Sequence, residues 1–291
     1  MFTPFKDGKV DYATLAANTV RQVEAGMDFL VPLGTTGETP TLSDDEKRAV
    51  LETVKGHAKG RKVVVGVGTN SVPGTLANIR LLPEADAFLV VVPYYNKPPQ
   101  RGMYEYFKTI AGETDKPIIL YNVPGRTGSN IAAETTLRLA QDVPNIVGIK
   151  EASGKIDQIL EILKGRPDDF SVLSGNDDDT LTLMKAGADG VISVASNVAP
   201  AEMVAFVHAA QKAHAALEAQ NGAGQAMQQA EALEERLREL FRVLFIEPNP
   251  IPGKAAMAQL GLMENSLRLP LVQATAETEA IMKQTLAALW K

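Results

Sequence analysis

Ile146-Val147-Gly148-Ile149-Lys150-Glu151-Ala152-Ser153-Gly154 is the stretch from which the rest of the chain is best read. Four β-compatible residues run straight into a lysine, and a small, polar turn follows. That order describes a strand whose tip carries an amine. A lysine on a buried strand loses hydration without a partner, and the same burial favours the neutral amine that attacks carbonyl carbon. A strand-end lysine reaching solvent, or paired with a carboxylate, also fits this stretch taken alone. The company Lys150 keeps decides between them.

Outward from this stretch the same pattern recurs. Between residues 28 and 217 short apolar runs alternate with amphipathic ones. The runs 28–33, 62–67, 87–92, 117–121, 146–150, 170–173 and 190–194 are rich in Val, Ile and Leu, as strands buried on both faces of a parallel sheet are. Helix patterns lie at 11–25, 43–58, 75–82, 102–113, 132–141, 155–164, 177–185 and 199–217. Ser43 followed by Glu46 reads as a capping box, and Gly26, Gly60 and Gly187 stand where helix C-caps belong.

Eight helices to seven strands leaves one strand unaccounted for, before Thr3-Pro4-Phe5. The first strand of an eight-fold unit is therefore expected to be short, truncated or absent from this chain. Such alternation most simply closes as an α/β fold of the (β/α)8 TIM-barrel type, with a doubly wound open sheet as runner-up. Beyond residue 217, Gln220-Asn221-Gly222-Ala223-Gly224-Gln225 reads as a helix break with a polar loop. Helices are then expected at 232–245, 252–260 and 271–289 with no strands between them. The expected division is a barrel over 1–217 and a C-terminal helical extension over 218–291, a packing or assembly element.

Composition narrows the function. The chain has 291 residues, 45% hydrophobic and 22% charged, with a net charge of −6 and no long basic run, which argues against a nucleic-acid partner. Cysteine is absent, so thiolate chemistry and disulfides are excluded. No run approaches the roughly 20 apolar residues of a bilayer span, so no membrane partner is expected. Lys6, Asp7 and Lys9 interrupt any signal-peptide pattern, and a cytoplasmic protein is the expectation. His57, His208 and His214 lie in helix-like segments without ligand spacing, so neither metal nor cofactor is expected. Asp177-Asp178-Asp179 reads as a set of acids capping a helix N-terminus and complementing its dipole.

Each predicted strand ends in a small or polar motif. These are Gly34-Thr35-Thr36-Gly37-Glu38, Gly68-Thr69-Asn70, Pro93-Tyr94-Tyr95-Asn96, Tyr121-Asn122-Val123-Pro124-Gly125-Arg126-Thr127, Lys150-Glu151, Ser174-Gly175-Asn176-Asp177 and Ser193-Val194-Ala195-Ser196-Asn197. In a parallel barrel such tips converge on one mouth, where the active sites of these folds lie. Lys150 there can condense with a ketone to a Schiff base, whose electron withdrawal turns the adjacent carbon into an enamine without a metal. Tyr121 and Tyr95 are the tip residues suited to moving protons, with Thr35 or Thr36 linking them. A rim tyrosine in water and a turn-stabilising threonine fit those positions too. Gly34 and Gly37 let backbone N–H groups approach a carboxylate. Arg126 follows a Pro-Gly turn, and its guanidinium suits a substrate carboxylate or, alternatively, a surface ion pair.

Taken together, G-T-T-G-E (34–38), P-Y-Y-N (93–96), Y-N-V-P-G-R-T-G (121–128) and G-I-K-E-A-S-G (148–154) resemble, in order and spacing, the dihydrodipicolinate synthase family. That family sits within the class I pyruvate aldolases typified by N-acetylneuraminate lyase. The resemblance runs from Thr3-Pro4-Phe5 to Pro248-Asn249-Pro250-Ile251-Pro252-Gly253-Lys254. It implies condensation of pyruvate with L-aspartate 4-semialdehyde through an imine on Lys150, on the diaminopimelate route to lysine. It further implies a proton relay of Tyr121, Thr35 and Tyr95, the last reaching across a dimer interface. Thr36 matches the position holding the pyruvate carboxylate, Arg126 the one binding the aldehyde's carboxylate, and Gly175 and Ile192 positions whose backbone lines the pocket. The family is usually a homotetramer, a dimer of tight dimers.

Two departures stand out. The strand that precedes Thr-Pro-Phe in the family is missing. At the family's lysine-feedback site Tyr94 and Asn70 match, but Asp44 and Lys47 stand at the histidine-type positions and Gly74 replaces a glutamate. Weak or absent inhibition by lysine is therefore expected. The alternatives are another Schiff-base aldolase acting on a keto or sugar acid and, from a different class, a non-catalytic pyruvate-binding barrel.

Overall fold

In the computed structural model, which describes residues 1–219 and 224–290, most of the apolar runs become strands. The chain opens with an antiparallel hairpin, β1 (Phe5–Lys6) and β2 (Lys9–Val10), turned through Asp7 and Gly8 at φ +49° and +74°. Positive φ at both turn positions matches the right-handed twist of a tight hairpin. There follow α1 (Tyr12–Glu24), β3 (Phe29–Leu30), α2 (Asp44–His57), β4 (Lys62–Gly66), α3 (Val72–Leu81), β5 (Ala87–Val91) and α4 (Gln100–Ala111). Next come β6 (Ile118–Asn122), the single turn α5 (Pro124–Thr127), α6 (Ala133–Asp142), β7 (Ile146–Glu151), α7 (Ile156–Gly165), β8 (Ser171–Ser174), α8 (Thr180–Lys185) and β9 (Gly190–Val191). Among the described residues four helices follow: α9 (Pro200–Glu218), α10 (Gly224–Val243), α11 (Ile251–Gln259) and α12 (Ala276–Leu289).

The parallel sheet runs β3-β4-β5-β6-β7-β8-β9, every strand beside its successor. Sequential parallel order with a helix in each crossover is the (β/α)8-barrel arrangement. Among the described residues no strand of this sheet precedes Phe29, as the surplus of helices predicts.

Two compact units divide the chain, Met1–Val63 with Ser193–Lys291, and Val64–Ile192. The second unit holds most of the sheet. Val64 and Val65 of β4, Phe88, Leu89 and Val90 of β5, Leu120 of β6 and Ile149 of β7 are all buried, each contributing roughly 1.5–3 kcal/mol of burial free energy. α4 shows why its stretch is helical: Met103, Tyr104, Phe107, Ile110 and Ala111 are buried at three- and four-residue spacing.

In the first unit α2 carries the expected capping box between Ser43 and Glu46. Phe2, 4% exposed, packs so closely on α11 that a Cβ at Gly253 would lie 2.4 Å from its ring, which only glycine permits. Met1 N donates to the Val31 carbonyl at 2.8 Å and Phe2 N to Asn197 Oδ1 at 3.2 Å.

Several boundaries differ from the sequence reading. β3 is two residues rather than the run 28–33, because Leu33 turns to φ +56° and leaves the ladder. β9 stops at Val191, since residues 195–197 wind into a 3-10 turn whose Ser196 N–H is held by Ser193 Oγ at 2.8 Å. α3 begins at Val72, capped by Ser71, and α12 at Ala276, capped by Thr275. α10 begins at Gly224 rather than at 232, and the rest of the expected break, residues 220–223, lies outside the described residues. Gly26, Gly60 and Gly187 take φ of +98°, +85° and +103° after their helices, as C-cap glycines do.

Candidate active site

The pairing of β6 with β7 sets Tyr121 opposite Lys150 and Asn122 opposite Glu151. Side chains alternate along a strand, so Tyr121 and Lys150 share one face and Asn122 and Glu151 the other. On the first face Lys150 is 9% exposed and its Nζ lies 4.4 Å from the centre of the Tyr121 ring, itself buried. Among the described residues no carboxylate pairs with that amine. At the tip of β8, a Cβ on Gly175 would fall 3.0 Å from Lys150 Cε and 2.6 Å from Ala152 Cβ. Glycine is what makes room for the lysine chain. Gly175 N donates to Glu151 O at 2.7 Å and Ile192 N to Ser174 O at 2.9 Å, which carries the buried Ile192 alongside. Tyr121, Lys150 and Gly175 are thus in direct contact range, with Ile192 a strand further along.

The opposite face supplies rigidity that the sequence reading missed. Glu151, 1% exposed, accepts from Asn122 Nδ2 at 2.7 Å, Gln158 Nε2 at 3.0 Å and Ser153 Oγ at 2.6 Å. Burial pushes its carboxyl above the usual range, and the donors from Ser153, Asn122 and Gln158 pull it back. Asn122 also donates to Asn130 Oδ1 at 3.0 Å, and Asn130 to Gln158 Oε1 at 2.8 Å. The network ties the two strand tips to the turn after β6, which bears Arg126. An acid and a serine after the lysine, in E-A-S, and an amide after the tyrosine, in Y-N, were its only signal in the sequence.

Arg126 stands exposed on α5. The neighbouring Thr127 carbonyl accepts from Tyr95 N at 3.2 Å, so the two loops that carry Arg126 and Tyr95 are joined. Tyr95 itself sits at φ +72° and is 87% exposed, its side chain standing clear of this chain.

Thr35 and Thr36 belong to the first unit, in a 3-10 turn spanning Thr35–Gly37. Asn249 Nδ2 donates to Thr36 Oγ1 at 2.9 Å. Glu38 ends the turn at φ +52° and buries its carboxylate against Lys254, Oε1 to Nζ 2.5 Å. Lys254 also donates to Ser266 O at 2.9 Å and lies 4.1 Å from the centre of the Phe5 ring. Burial lowers its pKa to about 8, against the raising pull of Glu38.

Of the acids 177–179, Asp179 stands at the N-cap of a helix as expected, but without the expected capping bond. α8 starts only at Thr180, and Asp179, at its N-cap position, makes no capping bond with its side chain, accepting instead from Asn176 Nδ2 at 2.8 Å. Among the described residues no group of three or more His, Asp or Glu is placed to hold a metal ion, and no helix is long and apolar enough to cross a membrane.

Comparison with known proteins bears directly on this arrangement. The Dihydrodipicolinate synthetase family matches residues 1–289. The chain belongs to that family. Among individual members of the dihydrodipicolinate synthetase family, 4-hydroxy-tetrahydrodipicolinate synthase of Thermotoga neapolitana is 45% identical over 290 residues, 98% of this chain and 95% of the relative. The crystal structure of dihydrodipicolinate synthase from Thermotoga maritima superposes with a TM-score of 0.93 at 42% identity, covering 100% of this chain and 96% of that one. A structure described as the first monomeric dihydrodipicolinate synthase variant gives 0.93 at 42% identity, covering 100% and 95%. The barrel fold read from the strand order is thus the family's own.

Proposed function

We propose that this chain is a 4-hydroxy-tetrahydrodipicolinate synthase, condensing pyruvate with L-aspartate 4-semialdehyde on the diaminopimelate route to lysine. The observation that carries the chemistry is Lys150: a buried amine against the Tyr121 ring, with space made by Gly175 and, among the described residues, no carboxylate to hold it as an ion pair. Its nitrogen attacks the pyruvate ketone, water leaves, and the imine forms. Loss of a methyl proton gives the enamine, whose carbon adds to the aldehyde. The amine of the second substrate then attacks the imine carbon, closes the ring and releases Lys150.

Tyr121, Thr35 and Tyr95 move the protons in this reading, Thr36 holds the pyruvate carboxylate, Arg126 holds that of the aldehyde, and Gly175 and Ile192 line the pocket. The exposure of Tyr95 supports a further part of the proposal, that it completes a neighbouring protomer's site in a homotetramer built as a dimer of dimers. A cytoplasmic location fits a biosynthetic enzyme without cysteine. Mass spectrometry after borohydride treatment with pyruvate tests the imine, beside coupled assays with aspartate semialdehyde and with N-acetylneuraminate. A pyruvate adduct with turnover of the semialdehyde alone supports the proposal; turnover of the sugar acid alone overturns it.

Weak lysine feedback belongs to the same proposal. Lys47 Nζ pairs with Asp44 Oδ1 at 3.0 Å, so the two charges at the histidine-type positions serve each other. A Cβ at Gly74 would lie 2.8 Å from Thr69 Oγ1 and 2.9 Å from Ser71 Oγ, so a glutamate there requires these hydroxyls to shift. Half-inhibition by sub-millimolar L-lysine overturns this part.

A further inference from the structure

The segment Pro248-Asn249-Pro250-Ile251-Pro252-Gly253-Lys254 has no part in the imine chemistry, yet two of its polar side chains are buried against the turn that bears Thr35 and Thr36. Three consecutive residues of that turn are each held separately within the first unit. Thr36 Oγ1 accepts from Asn249, the Gly37 carbonyl accepts from Thr3 Oγ1 at 2.8 Å, and Glu38 takes the Lys254 ammonium together with Arg268 N at 3.1 Å. Glu38 occupies the left-handed region, which is costly for a non-glycine residue and persists where surrounding contacts over-determine it.

The polarity of the Thr36 hydroxyl is the informative detail. A threonine hydroxyl has one proton to give. Nearby, Thr39 Oγ1 donates back to Gly34 O at 2.9 Å and Thr41 Oγ1 to Glu38 O at 2.9 Å, the ordinary way such hydroxyls stabilise a turn. Thr36 differs: its oxygen accepts an N–H from Asn249, which is 6% exposed, and because that amide nitrogen can only donate, the hydroxyl proton is left for another acceptor. A carboxylate is an acceptor only.

We propose that Asn249 is a positioning residue that fixes the Thr36 hydroxyl as a donor and so readies the turn for the carboxylate of a 2-oxo acid; this rests on the reading above in which Thr36 holds that carboxylate. The amide supplies the directing hydrogen bond, and the buried Glu38–Lys254 pair holds the backbone on which it acts. Without Asn249, the hydroxyl is released to fold back onto its own turn as Thr39 and Thr41 do.

A double-mutant cycle of Asn249→Ala and Thr36→Val tests the link, read by pyruvate-dependent borohydride trapping and by steady-state kinetics. Asn249→Ala is expected to raise the half-saturating pyruvate concentration about tenfold, the scale of one hydrogen bond to a charged group. It should leave kcat and the requirement for the aldehyde nearly unchanged. In the Thr36→Val background the same change is expected to have less than about a twofold effect. An equal effect in both backgrounds, or an equal weakening of both substrates, makes Asn249 general scaffold and overturns the inference alone. Unaltered pyruvate binding in Thr36→Val overturns the carboxylate role itself, and the inference with it. Should the alanine variant not fold, Asn249→Ser, too short to reach Thr36, enters the same cycle.

Discussion

Among the described residues two lysines are buried, and their surroundings differ in kind. Lys254, on α11, is fully enclosed with a carboxylate at 2.5 Å, a backbone carbonyl at 2.9 Å and an aromatic face at 4.1 Å. Lys150, at the end of β7, keeps the aromatic face alone, 4.4 Å away, with a glycine beside its aliphatic chain. One amine is satisfied; the other is enclosed without an ion-pair partner among the described residues, which suits the ligand-binding role proposed for it. Burial of a lysine therefore says little about reactivity until its partners are known.

The largest expected effect tests the reactive member. Lys150→Ala should lower turnover by about a thousandfold or more and remove the borohydride-trapped pyruvate adduct, since Lys150 is the group proposed to supply the imine nitrogen. Peptide mapping checks it: an adduct on Lys254 would reverse the comparison.

The structural member should respond in stability instead. Lys254→Ala leaves Glu38 buried without its ammonium and is expected to cost about 3–5 kcal/mol in denaturant unfolding, while trapping at Lys150 persists in the folded fraction. Replacing both partners, Lys254→Met with Glu38→Leu, should recover most of the loss. A cost below about 1 kcal/mol for the single variant would show that the pair holds nothing in place.

The smallest effect concerns acid. Arg268, whose guanidinium lies 4.5 Å from the Phe5 ring that Lys254 also faces, binds Glu46 at 2.6 and 2.8 Å and holds its carboxyl down to about 2. A depressed carboxyl stabilises the folded state at pH above its unfolded value near 4.5, and that stability is lost as pH falls towards about 2. Because the pair is only partly shielded from solvent, the effect should be modest. Melting temperatures at pH 6 and pH 3 should diverge less in Glu46→Gln than in the parent chain.

Most of the fold was legible because parallel strands buried on both faces leave near-continuous apolar runs, and β4 to β8 came within a residue or two of expectation. The amine at the tip of β7, the tyrosine at the tip of β6 and the glycine after β8 were legible for the same reason, since position along a buried strand fixes direction. β3 and β9 were overestimated because Val and Ile continue past the last ladder bond into turns whose path depends on side chains such as Ser193. Asn249 and Lys254 were visible only as a motif without a role. Their partners lie more than two hundred residues away, at Thr36 and Glu38, and no local periodicity reports such a pairing.

That separation has a consequence for biosynthesis of the protein itself. Thr36 meets Asn249 across 213 positions, so a ribosome has completed every described strand of the sheet, and the lysine proposed to form the imine with them, before the residue proposed to orient the threonine exists. On the proposed roles, a nascent chain halted short of that asparagine would hold the Lys150 amine yet lack the support for the threonine that takes the substrate's anionic end. On those roles competence arrives last, with the final helices.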